Sequence, residues 1–149
     1  MSEERVTASQ RWVVVARAKE CCEYCYSQMK FATQSFSVEH ILPRYKGGKT
    51  TLDNLALSCQ GCNNHKYTKT EGFDPATKQV VPLFHPRQQA WRDHFAWNAD
   101  YTLILGLTPT GRATVKELQL NRAGLVNLRR ALFALGEHPP QDSLSQAES

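Results

Sequence analysis

Five cysteines occur in this 149-residue chain, and four of them form two Cys-x-x-Cys pairs, Cys22 with Cys25 and Cys59 with Cys62. In a tight turn that spacing lets both thiolates of a pair reach one ion. Two pairs complete the closed tetrahedral geometry of structural Zn2+. Buried free thiols or a redox dithiol are the competing reading, which two pairs in one chain disfavour. Cys21 is left over. It offers an alternative to Cys22 as a ligand, but only Cys22 has the paired spacing, so Cys21 reads as a small buried thiol. A plain zinc ribbon separates its pairs by roughly 15–20 residues, and the stretch from Cys25 to Cys59 is longer. That insert holds Glu39-His40 and Asn54: a carboxylate, an imidazole able to accept a proton near neutral pH, and an amide.

The elements that must position these groups follow from the pattern around them. Thr7-Ala8-Ser9-Gln10 has the form of a capping box and predicts a first helix over 12–19. Residues 35–41 alternate polar and apolar and predict a strand. Pro43 ends its ladder, because proline has no N–H to donate. A polar loop follows over 44–51, with Gly47-Gly48 permitting a tight turn. A second strand is expected over 55–58 and a helix from 60–62 onward, carrying Asn63, His65 and Lys66. The order is ββα. Residues 71–79, with Gly72 and Pro75, read as a linker. Beyond it, Phe95 and Trp97 share one face of a strand, Leu103, Leu105 and Leu107 alternate on the next, and 98–100 turns between them. Leu125, Leu128, Leu132 and Leu135 form one helical stripe, with Arg122, Arg129 and Arg130 away from it. Gly136 stops that helix and Pro139-Pro140 follows. The fold class expected is α+β, in three segments: 1–71 with the zinc knuckles, 72–138 as a hairpin and helical extension, and a disordered tail over 139–149.

The runs Phe36-Ser37-Val38-Glu39-His40-Ile41-Leu42-Pro43, Lys46-Gly47-Gly48, Asp53-Asn54-Leu55 and Cys59-Gln60-Gly61-Cys62-Asn63-Asn64-His65-Lys66 agree in order and spacing with a known signature. Over residues 22–66 the chain resembles the HNH (His-Asn-His) endonucleases with a ββα-metal core. It departs from them twice: Glu39 stands where Asp is frequent, and Asn63 where His is frequent, giving a His-Asn-Asn variant. Both keep an oxygen donor, which suits a hard cation such as Mg2+.

The resemblance implies a metal-dependent DNA endonuclease. His40 would be the general base that takes a proton from water, and Glu39 and Asn63 would hold one catalytic Mg2+ or Mn2+ that stabilises the leaving alkoxide. Products would carry 5′-phosphate and 3′-hydroxyl ends. One such site cuts one strand, so nicking is expected, and double-strand breaks would need a homodimer or successive nicks. Asn54 would tether the loop that orients His40. Because neighbours on a regular strand face opposite ways, Glu39 and His40 share a metal only if the strand distorts. Lys46, Lys49, Lys66 and Lys69 flank the site as candidate phosphate contacts on DNA. Arg112, Lys116, Arg129 and Arg130 are further candidates. His65 lies about 200° around the helix from Asn63 and is not expected to share its ion. His85, His94 and His138 lack ligand spacing. The alternative is a noncatalytic zinc module that binds nucleic acid or protein.

Composition sets the outer bounds. The net charge of +4 suits a polyanionic partner without proving one. No stretch approaches the roughly 20 apolar residues of a membrane span. The start, Met1-Ser2-Glu3-Glu4-Arg5, lacks the apolar region of a secretory signal, so a cytoplasmic location is expected, where thiols stay reduced. Monomer and homodimer are both left open.

Overall fold

A computed structural model of the chain describes residues 5–144. The capping box forms: the Thr7 hydroxyl accepts the Gln10 N–H at 3.0 Å, and the Gln10 side chain accepts the Thr7 N–H at 2.9 Å. With its first turn satisfied there, helix α1 (Ala8–Arg17) begins earlier than the apolar residues alone suggest. Its inward side chain is Val14, while Trp12 is 73% exposed.

Strand β1 (Ser37–His40) pairs antiparallel with β2 (Leu55–Ser58), from Ser37 opposite Ser58 to His40 opposite Leu55, without a bulge. Helix α2 (Gln60–Lys66) follows at once. Its cap is Cys59, whose Sγ accepts the Cys62 N–H at 3.5 Å, so the knuckle itself starts the helix. Every residue of β2 is buried, because other elements cover both of its faces.

The stretch expected as a linker is a hairpin. Strands β3 (Glu71–Asp74) and β4 (Gln79–Pro82) pair antiparallel. Gly72 and Pro75 suggested a break, yet Gly72 lies buried within β3 and Pro75 in the turn. The Asp74 carboxylate builds that turn, accepting the Ala76 and Thr77 N–H groups, each at 3.2 Å, and the Thr77 hydroxyl at 2.7 Å.

A short helix α3 (Trp91–His94) leads into a third hairpin, β5 (Phe95–Trp97) with β6 (Ile104–Gly106). Its connection is longer than expected, and the Asn98 side chain organises it by accepting the Thr102 and Leu103 N–H groups. The inward residue of β6 is Ile104, whereas Leu103, Leu105 and Leu107 are the exposed alternates. Helices α4 (Pro109–Leu118) and α5 (Ala123–Ala134) complete the extension. On α5, Leu125 and Leu132 are buried as expected and Leu135 is exposed. Arg129, expected off the apolar stripe, is buried. It donates to the carbonyls of Thr102 at 2.8 Å and Leu120 at 2.7 Å, and lies over the Trp97 ring. Gly136 ends the helix region in a left-handed conformation.

One cluster of buried residues joins Val14, Tyr24, Phe36, Leu55 and Leu57 to Leu83, Phe84, Trp91, Phe95, Ile104 and Leu118. The expected boundary after residue 71 falls within β3, and this core crosses it. Of the expected tail, residues 139–144 pack on the body: Ser143 is buried and accepts the Trp97 indole N–H at 3.0 Å. Residues 145–149 lie outside the described residues. The architecture is α+β, with three two-stranded antiparallel sheets among the described residues and helices before, between and after them. No described helix is long and apolar enough to cross a membrane.

Candidate active site and metal centre

The two knuckles converge. The Sγ atoms of Cys22, Cys25, Cys59 and Cys62 lie within 4.8 Å of one another, and all four residues are buried. Cys25 Sγ and Cys59 Sγ are 3.7 Å apart, close to the ~3.8 Å edge of a tetrahedron built on Zn–S bonds of about 2.3 Å. These side chains therefore fit a zinc ion in both chemistry and spacing. Cys21 stands apart from the cluster. Its Sγ donates to the Lys19 carbonyl, and burial pushes its thiol up to about 11, which suits an inert residue.

Tyr24, between the cysteines of the first knuckle, donates its hydroxyl to Glu39 Oε2. Glu39 Oε1 lies 3.3 Å from Lys66 Nζ, which also donates to the Ile41 carbonyl at 3.0 Å. All three side chains are buried. Burial raises the Glu39 carboxyl above the usual carboxylate range, against the opposing pull of Lys66 and the Tyr24 hydrogen bond. Burial and the Glu39 charge together hold the Tyr24 hydroxyl protonated. Lys66, expected at a phosphate, is thus an interior partner of Glu39 rather than a surface cation.

His40 follows Glu39 on a strand whose register is unbroken, so the distortion needed to bring both onto one face is absent. The His40 imidazole is partly buried, with Nε2 2.8 Å from Thr50 Oγ1. Thr50 lies in the polar loop, and Asn54 holds that loop to the chain just beyond His40. Asn54 Oδ1 accepts the Leu42 N–H at 2.9 Å, and its Nδ2 donates to the carbonyls of Leu42 at 3.0 Å and Lys49 at 2.9 Å. The Asn54 carbonyl accepts the Ile41 N–H at 2.8 Å. Gly48 allows this approach, since a Cβ there would fall 1.7 Å from the Leu42 carbonyl oxygen. Asn63 sits half-buried on α2, one turn before Lys66. Beside the loop an open cleft of about 700 Å³ is lined by Leu42, Gly48, Lys49, Asp53, Asn54 and His85.

Among the other expected phosphate contacts, Lys49 is exposed. Lys46 donates to the Thr68 carbonyl at 3.0 Å, and Lys69 pairs with Glu117 at 3.1 Å. Arg112 is clasped by both carboxylate oxygens of Asp74, at 2.9 and 3.0 Å. Two other histidines serve the fold. His94 Nδ1 contacts the Thr108 hydroxyl at 2.6 Å, and His138 Nε2 lies 2.8 Å from the Tyr101 carbonyl. Burial lowers the imidazoles of His85 and His138 toward their neutral forms. Sequence reasoning missed Tyr24 and Thr50 as partners of Glu39 and His40. Tyr24 had a signal in its place inside a knuckle, and Thr50 had none.

A ββα unit with four clustered cysteines and a histidine at the end of its first strand describes an HNH-type domain. Residues 22–69 match the HNH endonuclease family. No curated protein and no solved structure matches the chain.

Proposed function

We propose that the protein is a metal-dependent DNA endonuclease in which His40 is the general base. The observation that supports this most is the way His40 is held, at a strand end between Thr50 and a loop pinned by Asn54. Held there by its contact with the Thr50 hydroxyl, the imidazole takes the proton from a water attacking phosphorus. The P–O3′ bond breaks, leaving a 5′-phosphate and a 3′-hydroxyl. When bound, a Mg2+ or Mn2+ ion would polarise the phosphate and stabilise the departing oxygen.

Asn63 offers such an ion an oxygen ligand, and Glu39 is the carboxylate nearest in sequence to His40. As the chain stands, Glu39 is committed to Lys66 and Tyr24 on the opposite face of β1 and does not fit a ready divalent site. It joins one only if Lys66 withdraws. Lys46, Lys49 and Lys69 supply phosphate contacts at the rim of the site, which cuts one strand per encounter. That same commitment of Glu39 favours the second reading, a noncatalytic zinc module that binds nucleic acid or protein.

Relaxation of supercoiled plasmid in Mg2+ or Mn2+ separates the two. His40→Ala is expected to lower cutting by at least about 100-fold, at the low end of what a positioned base contributes, while the variant keeps its fold and zinc. Cutting by that variant at the wild-type rate removes His40 as base, and no cutting by the wild-type chain with either ion leaves the binding module.

A further inference from the structure

The strongest feature outside the nuclease constellation is a cation from the extension lying on the cysteine cluster. Arg122, at the N-cap of α5, places Nη2 3.4 Å from Cys59 Sγ and Nη1 3.6 Å from Cys62 Sγ. The fork is fixed from behind, because Nη1 also donates to the carbonyls of Leu118 at 3.2 Å and Gln119 at 3.1 Å, where α4 ends. The space it fills is left by Gly61, between the two cysteines of the second knuckle. A Cβ at that position would lie 2.3 Å from Arg122 Nη2 and 2.7 Å from Cζ. Two thiolate contacts, two carbonyl anchors and a glycine without which the guanidinium does not fit form one arrangement.

We propose that Arg122 is a positioning and charge-compensating partner of the zinc centre, so that the extension completes the metal site of the HNH segment. The proposal rests on reading the four cysteines as zinc ligands. Four thiolates around one Zn2+ leave a net charge of −2 in a buried site, and buried charge is costly without a partner. The planar fork of Arg suits two sulfurs at once, which the point charge of Lys does not. N–H···S bonds draw electron density from Cys59 and Cys62, so their sulfurs become poorer nucleophiles while the knuckle geometry is held. Outer partners of this kind are typically worth about 10–100-fold in metal affinity.

The test uses the full-length, zinc-loaded protein and the rate at which zinc passes to an excess of chromogenic chelator. Arg122→Ala is expected to release zinc at least about tenfold faster, and Arg122→Lys to recover only part of that difference. Gly61→Ala keeps the arginine but occupies its place, and is expected to accelerate release in the same way. Arg130→Ala, on the exposed side of α5, is expected to match wild type. In cobalt-substituted protein, both Arg122→Ala and Gly61→Ala should move the thiolate-to-cobalt charge-transfer band to lower energy, because the sulfurs become stronger donors. Should Arg122→Ala fail to fold, Gly61→Ala and its cobalt spectrum decide. Wild-type release rates and an unshifted band in these variants overturn the role of Arg122 while leaving the zinc site standing. A wild-type chain that binds no zinc overturns both.

Discussion

Asn54 does not need to touch substrate to matter. Its amide spans two points of the chain, both Leu42 backbone groups and the Lys49 carbonyl, and so ties the residues beyond His40 to the loop that brings Thr50 to the imidazole. Each of the three side-chain-to-backbone bonds is worth about 0.5–1.5 kcal/mol net, so Asn54→Ala is expected to cost about 1.5–4.5 kcal/mol in chemical denaturation. The larger expected effect is on rate, since a base displaced by an ångström loses much of its advantage. Single-turnover nicking should fall by at least about tenfold while DNA affinity changes little. Asn54→Asp, which keeps the acceptor for Leu42 but loses both donations, should lie between. Nicking by the alanine variant at the wild-type rate would remove Asn54 from the positioning of His40. The bonding itself was legible from sequence, because an Asn entering a strand after a glycine turn is suited to side-chain-to-backbone bonds. The identity of its partners was not, since they are backbone groups that only the folded loop brings near.

At the scale of elements, β1 and α2 are held together by a buried ion pair rather than by apolar contact alone. Glu39 and Lys66 are almost wholly removed from water. Removing one partner of such a pair typically costs about 3–5 kcal/mol, and Lys66→Met is expected to destabilise the fold by that amount near neutral pH. The variant also carries a pH signature. Glu39 already has its carboxyl raised by burial, and loss of the lysine removes a cause that lowers it. A carboxyl raised in the folded state binds protons there that the unfolded chain releases, so its contribution is complete below the unfolded value, about 4.3. That contribution is lost as pH rises through the folded value. Lys66→Met should therefore recover stability, relative to wild type, as pH falls through the raised folded value of Glu39, and Glu39→Gln with Lys66→Met should abolish that slope. Parallel stability curves for wild type and Lys66→Met would refute a buried, paired Glu39. The same substitution bears on catalysis, because a Glu39 freed from Lys66 and able to hold Mg2+ would lower the metal concentration needed for cutting. Strand alternation and cysteine spacing made the ββα order readable in advance. The β3–β4 hairpin escaped because its glycine and proline read as breakers, whereas Asp74 supplies the turn that they punctuate. Leu103, Leu105 and Leu107 alternate as expected, but on the exposed side of the hairpin, while Ile104 among them is the residue that packs inward. In a three-stranded or wider sheet that leucine pattern would have been reliable. In an isolated pair, which face is covered depends on the helix packed against it.

For the molecule as a whole, the question is whether the HNH segment stands alone. Polar contacts reach it from the extension besides the shared core, among them those of Trp91, Arg87 and Arg122. The Trp91 indole N–H donates to the Tyr24 carbonyl at 2.9 Å, inside the first knuckle. Arg87 donates to the Leu55 carbonyl at 3.2 Å and pairs with Glu23, whose other oxygen accepts the Leu57 N–H. Arg122 lies on the second knuckle. Leu55 and Leu57 also share one buried cluster with Leu83, Phe84, Trp91 and Phe95 of the extension. At about 1.5–3 kcal/mol for each large apolar side chain buried, uncovering Leu55 and Leu57 alone costs about 3–6 kcal/mol, a large part of the 5–15 kcal/mol by which a domain is ordinarily stable. Zinc offsets part of the loss, but its ligands sit within the uncovered region. A chain ended at residue 71 is therefore expected to show no cooperative thermal transition with zinc present, and to exchange its Tyr24 and Leu57 amides far faster than the full protein. The comparison to make is hydrogen exchange and zinc content on both chains. A truncated chain that binds one equivalent of zinc, melts cooperatively and nicks plasmid would show that the extension is an accessory to the nuclease fold rather than half of its core.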